Sequence, residues 1–489
     1  MVNVTLGRMW NVAIIGGGIA GLAAAYRVEK AAEAAGRPIS WCLIEGSPRC
    51  GGKIVSERLG PFLVEGGPDA VIPQKPWALS LMRDLGLEDR LLSSNDTDRQ
   101  TYVFSNGRLI PLPSDMTLMA PGARDILSSP LFSWPGKMRL LAERWIPARQ
   151  RRSENDDESV ADFFRRRLGQ EGLERLAGPL LGHIYMADVE RMSLNATYPK
   201  LRMAELEAGS LTAAKAQLLT GSRAKKRPLF WSLRGGMREL ADALVARLPP
   251  EALLTGHRVR NLDPVRGGYQ LTLDDGSTHS AENVVLAVPS FVAAELMEPV
   301  DAELAARFAA IRYVSLATLS LGFQREDIGR QLDGFGYFAL KERGEQRTVL
   351  ASTWTSTKFD HRTDEDHVLV RLFLGEPGSD EMLAEDDELI ANALREVSEV
   401  LQTRAAPVMK RLHRWPRGYP QYEVGHRERV AAIESGMPPG LVVAGSPYHG
   451  VGLPDCIHSA EKATATILER LGLPPLHGCG RVDGAAVAC

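Results

Sequence analysis

The start of the chain alternates between short apolar runs and a stretch rich in helix formers. Residues 10–15 are apolar, residues 22–35 favour a helix, and residues 39–44 are apolar again. Gly36 stands where that helix is expected to end. The pattern predicts a strand, a glycine turn, a helix and a second strand.

Farther along, the periodicity changes twice. Between about residues 113 and 227 it is helical, and one stretch opens at Ser159, a residue that favours the N-cap position. We interpret the polar run 153–158 and the basic cluster 225–227 as solvated loops. After residue 233, strand and helix units return.

A second sheet is indicated by strand-like segments in the second half of the chain. Because no long helix separates them, we expect them to pair largely antiparallel. The chain then has a strand, a glycine-rich turn and a helix from about residue 455 to 471. The strand-like segments are 313–323, 336–340, 347–353 and 367–374.

These elements predict a mixed α/β and α+β architecture. A Rossmann-like dinucleotide-binding domain is assembled from separate segments, and an antiparallel sheet domain for the substrate and a helical region are inserted into it. The expected boundaries are 1–85, 231–300 and 425–473 for the dinucleotide-binding domain, 86–111 and 301–424 for the sheet domain, 112–230 for the helical region, and 474–489 for a flexible tail.

Composition narrows the class of protein. The 489 residues are 44% hydrophobic, and 58 Lys and Arg nearly balance 61 Asp and Glu, so charge gives no reason to expect a nucleic-acid partner. Five scattered cysteines without a CxxC pair argue against a disulfide framework and against a metal site. The few cysteines fit a reducing, cytoplasmic setting, and because glycines interrupt the apolar run 12–26, we expect no transmembrane helix.

The strongest chemical signal is a G-x-G-x-x-G motif between the first strand and helix. Gly16 permits a tight turn, Gly18 lets the backbone approach a pyrophosphate, and Gly21 allows close helix packing. Glu45, at the end of the next strand, is placed to accept hydrogen bonds from a ribose. The predicted contacts are Gly16, Gly17, Gly18, Ile19, Ala20, Gly21, Glu45 and Gly46.

A second glycine pair follows this acidic residue. The segment 45–53 resembles the ExxxRxGG element of FAD-binding oxidases, which implies FAD as the cofactor. Arg49 and Lys53 are placed to neutralise phosphate charge, with a surface position as the alternative for each. Gly51 and Gly52 let the backbone pass close to the cofactor.

A cofactor as long as FAD needs contacts from distant segments. The turn at 65–69 is expected near the flavin ring, and the N-terminus of the last helix would favour negative charge on the reduced ring. We interpret Asp455 as a cap of that helix. Further predicted cofactor contacts are Gly67, Pro68, Asp69, Ala70, Val259, Trp415, Val451, Gly452 and Leu453.

Six strings, in order along nearly the whole chain, resemble the protoporphyrinogen and coproporphyrinogen oxidase family. The motifs Pro-Gln-Tyr-x-x-Gly-His and Gly-Val-Gly-x-x-Asp-Cys-Ile are the most specific, and the soluble Gram-positive type fits best. The strings occupy residues 65–69, 163–167, 182–188, 231–237, 414–426 and 450–457.

The resemblance implies FAD-dependent oxidation of a porphyrinogen to a porphyrin, with oxygen as acceptor and hydrogen peroxide released. Six electrons leave the macrocycle, as hydride passing from meso carbons to the flavin, in three cycles. Because aromatisation drives the reaction, placement matters more than a strong base. The Gram-positive type favours coproporphyrinogen III, with four propionates, and protoporphyrinogen IX is the alternative.

The resemblance also implies substrate-side residues. Lys75 matches a lysine beside the active site, which would hold a propionate or influence the flavin, and Gly182 to Tyr185 match a segment that approaches the porphyrinogen nitrogens. His183 stands in place of a usual glycine, and Met186-Ala187 in place of Ala-Gly, so the pocket differs in shape. The tentative catalytic set is Lys75, Gly182 and Tyr185, whereas Tyr422 and His426 are expected to be structural.

Other assignments stay open at this point. An FAD amine oxidase or a carotenoid desaturase shares the cofactor fold, and a non-catalytic flavin- or porphyrin-binding partner protein is a different class. The residues that bind propionates, the role of His183, the oligomeric state, loose membrane association and contact with a later haem-pathway enzyme are not determined by the sequence.

Overall fold

The computed structural model describes residues 9–97, 100–113, 116–150, 153, 156–220, 228–341, 347–379 and 385–474. The strands are β1 (Met9–Ile15), β2 (Trp41–Glu45), β3 (Ser56–Leu59), β4 (Phe62–Glu65), β5 (Leu91–Ser93), β6 (Gln100–Ser105), β7 (Arg108–Pro111), β8 (Trp231–Leu233), β9 (Leu253–Thr255), β10 (Val259–Val265), β11 (Gly268–Leu273), β12 (Thr278–Leu286), β13 (Tyr313–Gln324), β14 (Gly334–Ala339), β15 (Val349–Trp354), β16 (His367–Leu374), β17 (Met409–Pro420) and β18 (Leu441–Val443).

The helices are α1 (Ile19–Ala35), α2 (Trp77–Asp84), α3 (Ala123–Ser128), α4 (Trp134–Leu141), α5 (Val160–Leu168), α6 (Gln170–Gly172), α7 (Gly178–Tyr185), α8 (Leu194–Thr197), α9 (Pro199–Ala208), α10 (Leu211–Thr220), α11 (Arg238–Ala246), α12 (Ser290–Met297), α13 (Ala302–Ala309), α14 (Thr355–Lys358), α15 (Asp386–Leu401), α16 (His426–Gly436) and α17 (Leu453–Arg470). None of the helices in the described ranges is long and apolar enough to cross a membrane.

The first sheet is built around β1. It has the order β10-β11-β12-β1-β2-β9, with β18 also paired to β12, and β1 runs parallel to both of its neighbours. Helices α1 and α17 cover one face, and α12, α13 and α16 cover the other. Because both faces are buried, the core of β1 is continuously apolar, and Val12, Ala13 and Ile14 are fully buried.

The predicted strand, helix and strand at the start of the chain are confirmed. Helix α1 begins at Ile19, earlier than predicted, because the last residues of the glycine motif are already helical. It ends at Gly36, whose left-handed conformation (φ 58°) lets its N–H bond to the carbonyls of the last turn.

The second sheet has the order β17-β13-β16-β15-β14-β6-β7 and is antiparallel except between β14 and β6. Its largely antiparallel pairing was predicted, but two elements were not. Within the described residues no long helix separates the four predicted segments, as expected, but helix α15 follows the last of them and packs on one face of the sheet. Strand β17 contains Pro416 and Gly418, which are typical of turns, and it forms because it pairs with the long β13.

The helical region contains α3 to α10 around a separate apolar core and a buried group of charged side chains. The guanidinium of Arg167 binds Glu143 and lies 3.4 Å from Glu205, and Arg202 lies 2.7 Å from Glu205. Glu158 is buried and lies 3.1 Å from Arg202, so the interpretation of run 153–158 as a solvated loop is wrong at this residue.

The mixed α/β and α+β architecture is confirmed by the two sheets and the helical region. The domain boundaries stay a prediction. The basic cluster 225–227 and the tail from residue 475 onward lie outside the described residues.

Candidate active site

The glycine motif forms a turn that leaves no room for side chains where the chain crosses itself. Gly16 has φ 105°, and a Cβ on Gly21 would lie 1.8 Å from the Gly16 carbonyl oxygen. A Cβ on Gly18, by contrast, would meet nothing within 4 Å. Gly18 is also the N-cap of α1, and because it has no side chain, it cannot cap the first N–H groups of the helix. The turn therefore presents an open cradle at a helix N-terminus, which suits a pyrophosphate.

Glu45 lies beside this cradle. Its Oε2 accepts a hydrogen bond from the Gly17 N–H at 2.6 Å, and its Oε1 accepts from the N–H and hydroxyl of Ser47 at 2.8 and 2.7 Å. Gly46 packs against Arg258, next to Val259 at the start of β10. The carboxylate is thus held in place next to the space where a ribose is predicted.

The second glycine pair closes over the first. The Gly51 N–H donates to the Gly17 carbonyl at 2.8 Å, and Gly52 (φ 53°) sits so close that its Cβ would be 3.1 Å from the Gly18 Cα. The Arg49 guanidinium donates to the carbonyl of Gly52 at 3.3 Å, so it braces the loop. Its predicted contact with phosphate stays a prediction.

Lys53 reaches from this loop to the second sheet. Its ammonium donates to the carbonyl of Gly418 in β17. Solvent reaches the side chain, yet burial lowers the pKa of the ammonium. Both observations fit a side chain on the wall of a deep cleft, where a bound anion would restore the preference for the charged form.

The turn at residues 65–69 is a junction between the two sheets. The Gly66 carbonyl accepts hydrogen bonds from the Trp415 indole at 2.9 Å and from the Thr318 hydroxyl at 3.0 Å. A Cβ on Gly67 would lie 1.8 Å from the Lys53 carbonyl oxygen, so no other residue fits there. This contact places the turn at Gly67 directly beside the second glycine pair, whereas the predicted cofactor contacts of Pro68 and Ala70 stay predictions.

Asp69 is held by buried cations that sequence reasoning missed. Burial opposes its charge, but Lys358, 3.0 Å away, and Arg371 outweigh that effect and lower the pKa of Asp69 to about 2. The same Arg371 donates to the Gly67 carbonyl at 2.5 Å. Both cations come from the second sheet region far along the chain, and neither lies in a recognisable motif.

The glycine-rich loop at residues 444–452 leads into α17 and lies against the glycine motif. A Cβ on Gly445 would lie 3.5 Å from that of Ala20. Helix α17 begins at Leu453 with Gly452 as N-cap, so the interpretation of Asp455 as the cap is wrong. Asp455 lies in the first turn instead, and both of its carboxylate oxygens are 2.7 Å from Lys75.

Helix α7 carries the predicted substrate-side segment. Gly182 is buried, with room for a Cβ only 3.0 Å from Val189, and the Tyr185 hydroxyl lies 3.5 Å from the Thr197 carbonyl. Burial raises the pKa of Tyr185 and lowers that of His183 to about 4. At neutral pH the Tyr185 hydroxyl is therefore protonated, and the His183 imidazole is a weaker base than an unperturbed histidine.

Strand β17 joins this helix to the loops that are predicted to lie beside the flavin. The Tyr419 hydroxyl donates to the Ile184 carbonyl at 3.1 Å, one residue along from Gly418, to which Lys53 donates. An apolar cluster lies beside it on the face of the second sheet that points away from α15. Its members are Met186, Val314, Leu316, Leu350, Trp415 and Tyr419.

Tyr419, Leu316 and Leu350 were missed because β17 reads as a turn and the two leucines look like ordinary core residues. The alternation along β13, in which odd residues face α15, could have found Leu316. Tyr422 and His426 make contacts of the structural kind expected: the Tyr422 hydroxyl accepts from the Gly450 N–H at 2.8 Å, and the two rings stack 3.9 Å apart.

Comparisons with known proteins match this arrangement. A family model described as flavin containing amine oxidoreductase matches residues 19–468. The chain is 32% identical to a coproporphyrinogen III oxidase from Bacillus subtilis (strain 168), covering 94% of this chain and 98% of the relative. A coproporphyrinogen III oxidase from Propionibacterium freudenreichii subsp. freudenreichii is also 32% identical, with 94% and 91% covered.

A solved structure is similar over the same extent. The crystal structure of a candidate protoporphyrinogen oxidase from Exiguobacterium sp. 255-15 has a TM-score of 0.83 and 28% identity, covering 94% of this chain and 98% of that chain. The resemblance found in the six strings is thereby confirmed, and a flavin is the indicated cofactor. The chain belongs to the flavin-containing amine oxidoreductase family, among its porphyrinogen oxidases.

Proposed function

We propose that this chain is an FAD-dependent oxidase that converts coproporphyrinogen III to coproporphyrin III, with oxygen as acceptor, in haem biosynthesis. The observation that carries the proposal is strand β17, which contacts the loops predicted beside the flavin, at Gly66 and Lys53, and the predicted substrate-side helix, at Ile184. The substrate follows from two relatives, both coproporphyrinogen III oxidases, which this chain matches over nearly their whole length.

The residues around the cradle fit FAD. Gly18 offers open space and free N–H groups for a pyrophosphate, and Glu45 offers a positioned carboxylate for a ribose. Lys53 supplies a cation where the second glycine pair meets strand β17 of the second sheet. When bound, FAD supplies a two-electron acceptor that oxygen reoxidises.

The substrate side fits an apolar macrocycle. The cluster around Leu316, Leu350 and Trp415 offers an apolar wall, and burial keeps the hydroxyls of Tyr185 and Tyr419 protonated by raising their pKa. No strong base is therefore supplied by these groups. Positioning of the macrocycle by this wall is what the protein contributes, which suits a reaction driven by aromatisation.

The test is direct. Purified protein should show a flavin spectrum, and coproporphyrin fluorescence should rise in air after addition of coproporphyrinogen III, with heat-inactivated protein as the background control. The Gly18→Ala variant, which keeps the fold but narrows the cradle, should lose both signals together. Flavin-loaded protein without turnover of any porphyrinogen would refute the proposal.

Protoporphyrinogen IX is the second candidate substrate, because the solved structural neighbour is described as acting on it. The same assay with both porphyrinogens, compared by kcat/KM, decides between the two. Hydrogen peroxide formation tests oxygen as acceptor. A cytoplasmic location and contact with a later haem-pathway enzyme belong to this proposal and would be checked by fractionation and co-purification.

A further inference from the structure

A charged pair links the substrate-side lysine to the flavin-side helix. The Lys75 ammonium lies 2.7 Å from both carboxylate oxygens of Asp455, although 380 residues separate the two along the chain. The Asp455 side chain is 9% exposed and that of Lys75 is 38% exposed. A buried carboxylate bound at both oxygens is more than a surface ion pair, which would contribute little.

The carboxylate of Asp455 is wrapped by the loop that precedes α17. A Cβ on Gly450 would lie 2.4 Å from the carboxyl carbon of Asp455, and one on Gly452 would lie 3.0 Å from its Oδ2. Asp455 therefore sits within the segment that includes Val451 and Gly452, two predicted contacts of the flavin. Its negative charge lies in the first turn of α17, at the end of the helix dipole that favours an anion.

Neighbouring groups register the charges of this pair. Burial is the main cause that raises the pKa of the Cys456 thiol to about 12, and the charge of Asp455 adds to it, whereas Lys53 and Lys75 act in the opposite direction. Asp455 likewise adds to the effect of burial on Tyr185. Both charges thus act on the first turn of α17, and the charge of Asp455 also acts on the predicted substrate-side helix.

We propose that Lys75 and Asp455 are a positioning pair that sets the reduction potential of the bound flavin. The proposal rests on the proposed function, because it requires FAD beside the 450–453 loop. Reduction adds negative charge to the flavin, so Asp455 alone would make reduction harder, and Lys75 offsets it. The two residues then have opposite and nearly cancelling effects on the flavin.

The experiment measures midpoint potentials of the flavin-loaded protein by spectroelectrochemistry. Lys75→Met should lower the potential and Asp455→Asn should raise it, each by about tenfold in the two-electron equilibrium, or roughly 30 mV. The double variant should return close to the wild-type value. Lys75→Arg, which keeps the charge, should also stay close to wild type.

Lys462→Met is the matched control, because Lys462 is an exposed lysine on the same helix. Shifts of the same sign in both single variants, or shifts no larger than in this control, would overturn the pair's role while leaving the oxidase function intact. If Lys75→Met loses flavin, Asp455→Asn and Lys75→Arg carry the test, since the first must rise and the second must not move. Wild-type protein that binds no flavin would overturn the proposed function and the pair together.

Discussion

The first sheet and the helical region each have a buried core, but different interactions stabilise the two cores. Around β1 the interior is apolar, and specificity comes from glycines that let backbones touch, as at Gly16 and Gly21. In the helical region the interior contains charged groups: the buried guanidinium of Arg167 binds the buried carboxylates of Glu143 and Glu205. The first region depends on the absence of side chains, and the second depends on a complete set of charges.

This difference determines how each region fails. Adding atoms to the glycine turn creates a clash with backbone that cannot move aside. Removing one member of a buried charge group leaves another charge without a partner in a poorly solvated site. The loss of stability is then larger than the net stabilisation that the intact pair provides. The crossing of the glycine turn at Gly16 and Gly21 is therefore intolerant of enlargement, and the helical region is intolerant of deletion.

Gly21→Val should have the largest effect. Its side chain would meet the Gly16 carbonyl, so we expect little folded protein, measured as soluble yield and circular dichroism. Gly18→Ala is the matched control because its methyl group meets no protein atom. It should keep the wild-type melting temperature in the absence of flavin and lose at least about tenfold in FAD affinity, roughly 1.4 kcal/mol. Equal damage to folding by both changes would contradict the assignment of the cradle.

Arg167→Met should be next in size. Its removal leaves Glu143 and Glu205 short of a buried partner, so the free energy of unfolding should fall by about 3–5 kcal/mol in urea titrations. Arg165→Met, two residues away, removes exposed ion pairs with Asp162 and Glu190 and should cost less than about 1 kcal/mol. If the two variants lost equal stability, the buried charges would not be what holds the helical region.

His183, on helix α7 of the helical region, stacks on Phe338 of the second sheet and carries the smallest expected effect. Because burial lowers its folded pKa to about 4, below the usual 6.5, the folded form stays neutral while the unfolded chain gains a proton. Its full contribution to stability is present above pH 6.5 and is lost as the pH falls toward 4.

His183→Gln removes this proton uptake. Between pH 7.5 and pH 5 the wild type should lose about 2 kcal/mol more stability than the variant, since about 1.4 kcal/mol is lost for each pH unit below the unfolded pKa. Unfolding at the two pH values measures this difference. The pH profile of kcat/KM between pH 6 and 9 should keep its shape, and a lost ionisation there would give His183 a proton-transfer role.

Local patterns explain why the first sheet could be predicted. The apolar runs, the glycine motif and Glu45 all lie within one short stretch, and their spacing specifies the turn. Helix α15 was missed although Leu389, Ala393 and Val397 recur at helical spacing after an acidic first turn. Strand β17 could not be predicted, because its proline and glycine residues are tolerated only through pairing with β13.

The site was predicted to the extent that its chemistry is local. The open space at Gly18 and the carboxylate of Glu45 follow from the motif, but Lys358 and Arg371 hold the 65–69 turn from about 290 to 300 residues away. Glu158 looked solvated because its partner Arg202 is distant in sequence. Asp455 looked like a cap because Lys75 is in another part of the chain.

The register of β17 shifts between its pairings at Trp415 and Tyr419, and the bulge there includes Gly418. One side of that bulge receives Lys53 and the other reaches Ile184. A ligand that displaced the bulge on binding at one side would alter affinity at the other side, and by the same factor in both directions. Cofactor loading and macrocycle binding are thus expected to be thermodynamically reciprocal, so porphyrin analogues would report on how firmly the flavin is held.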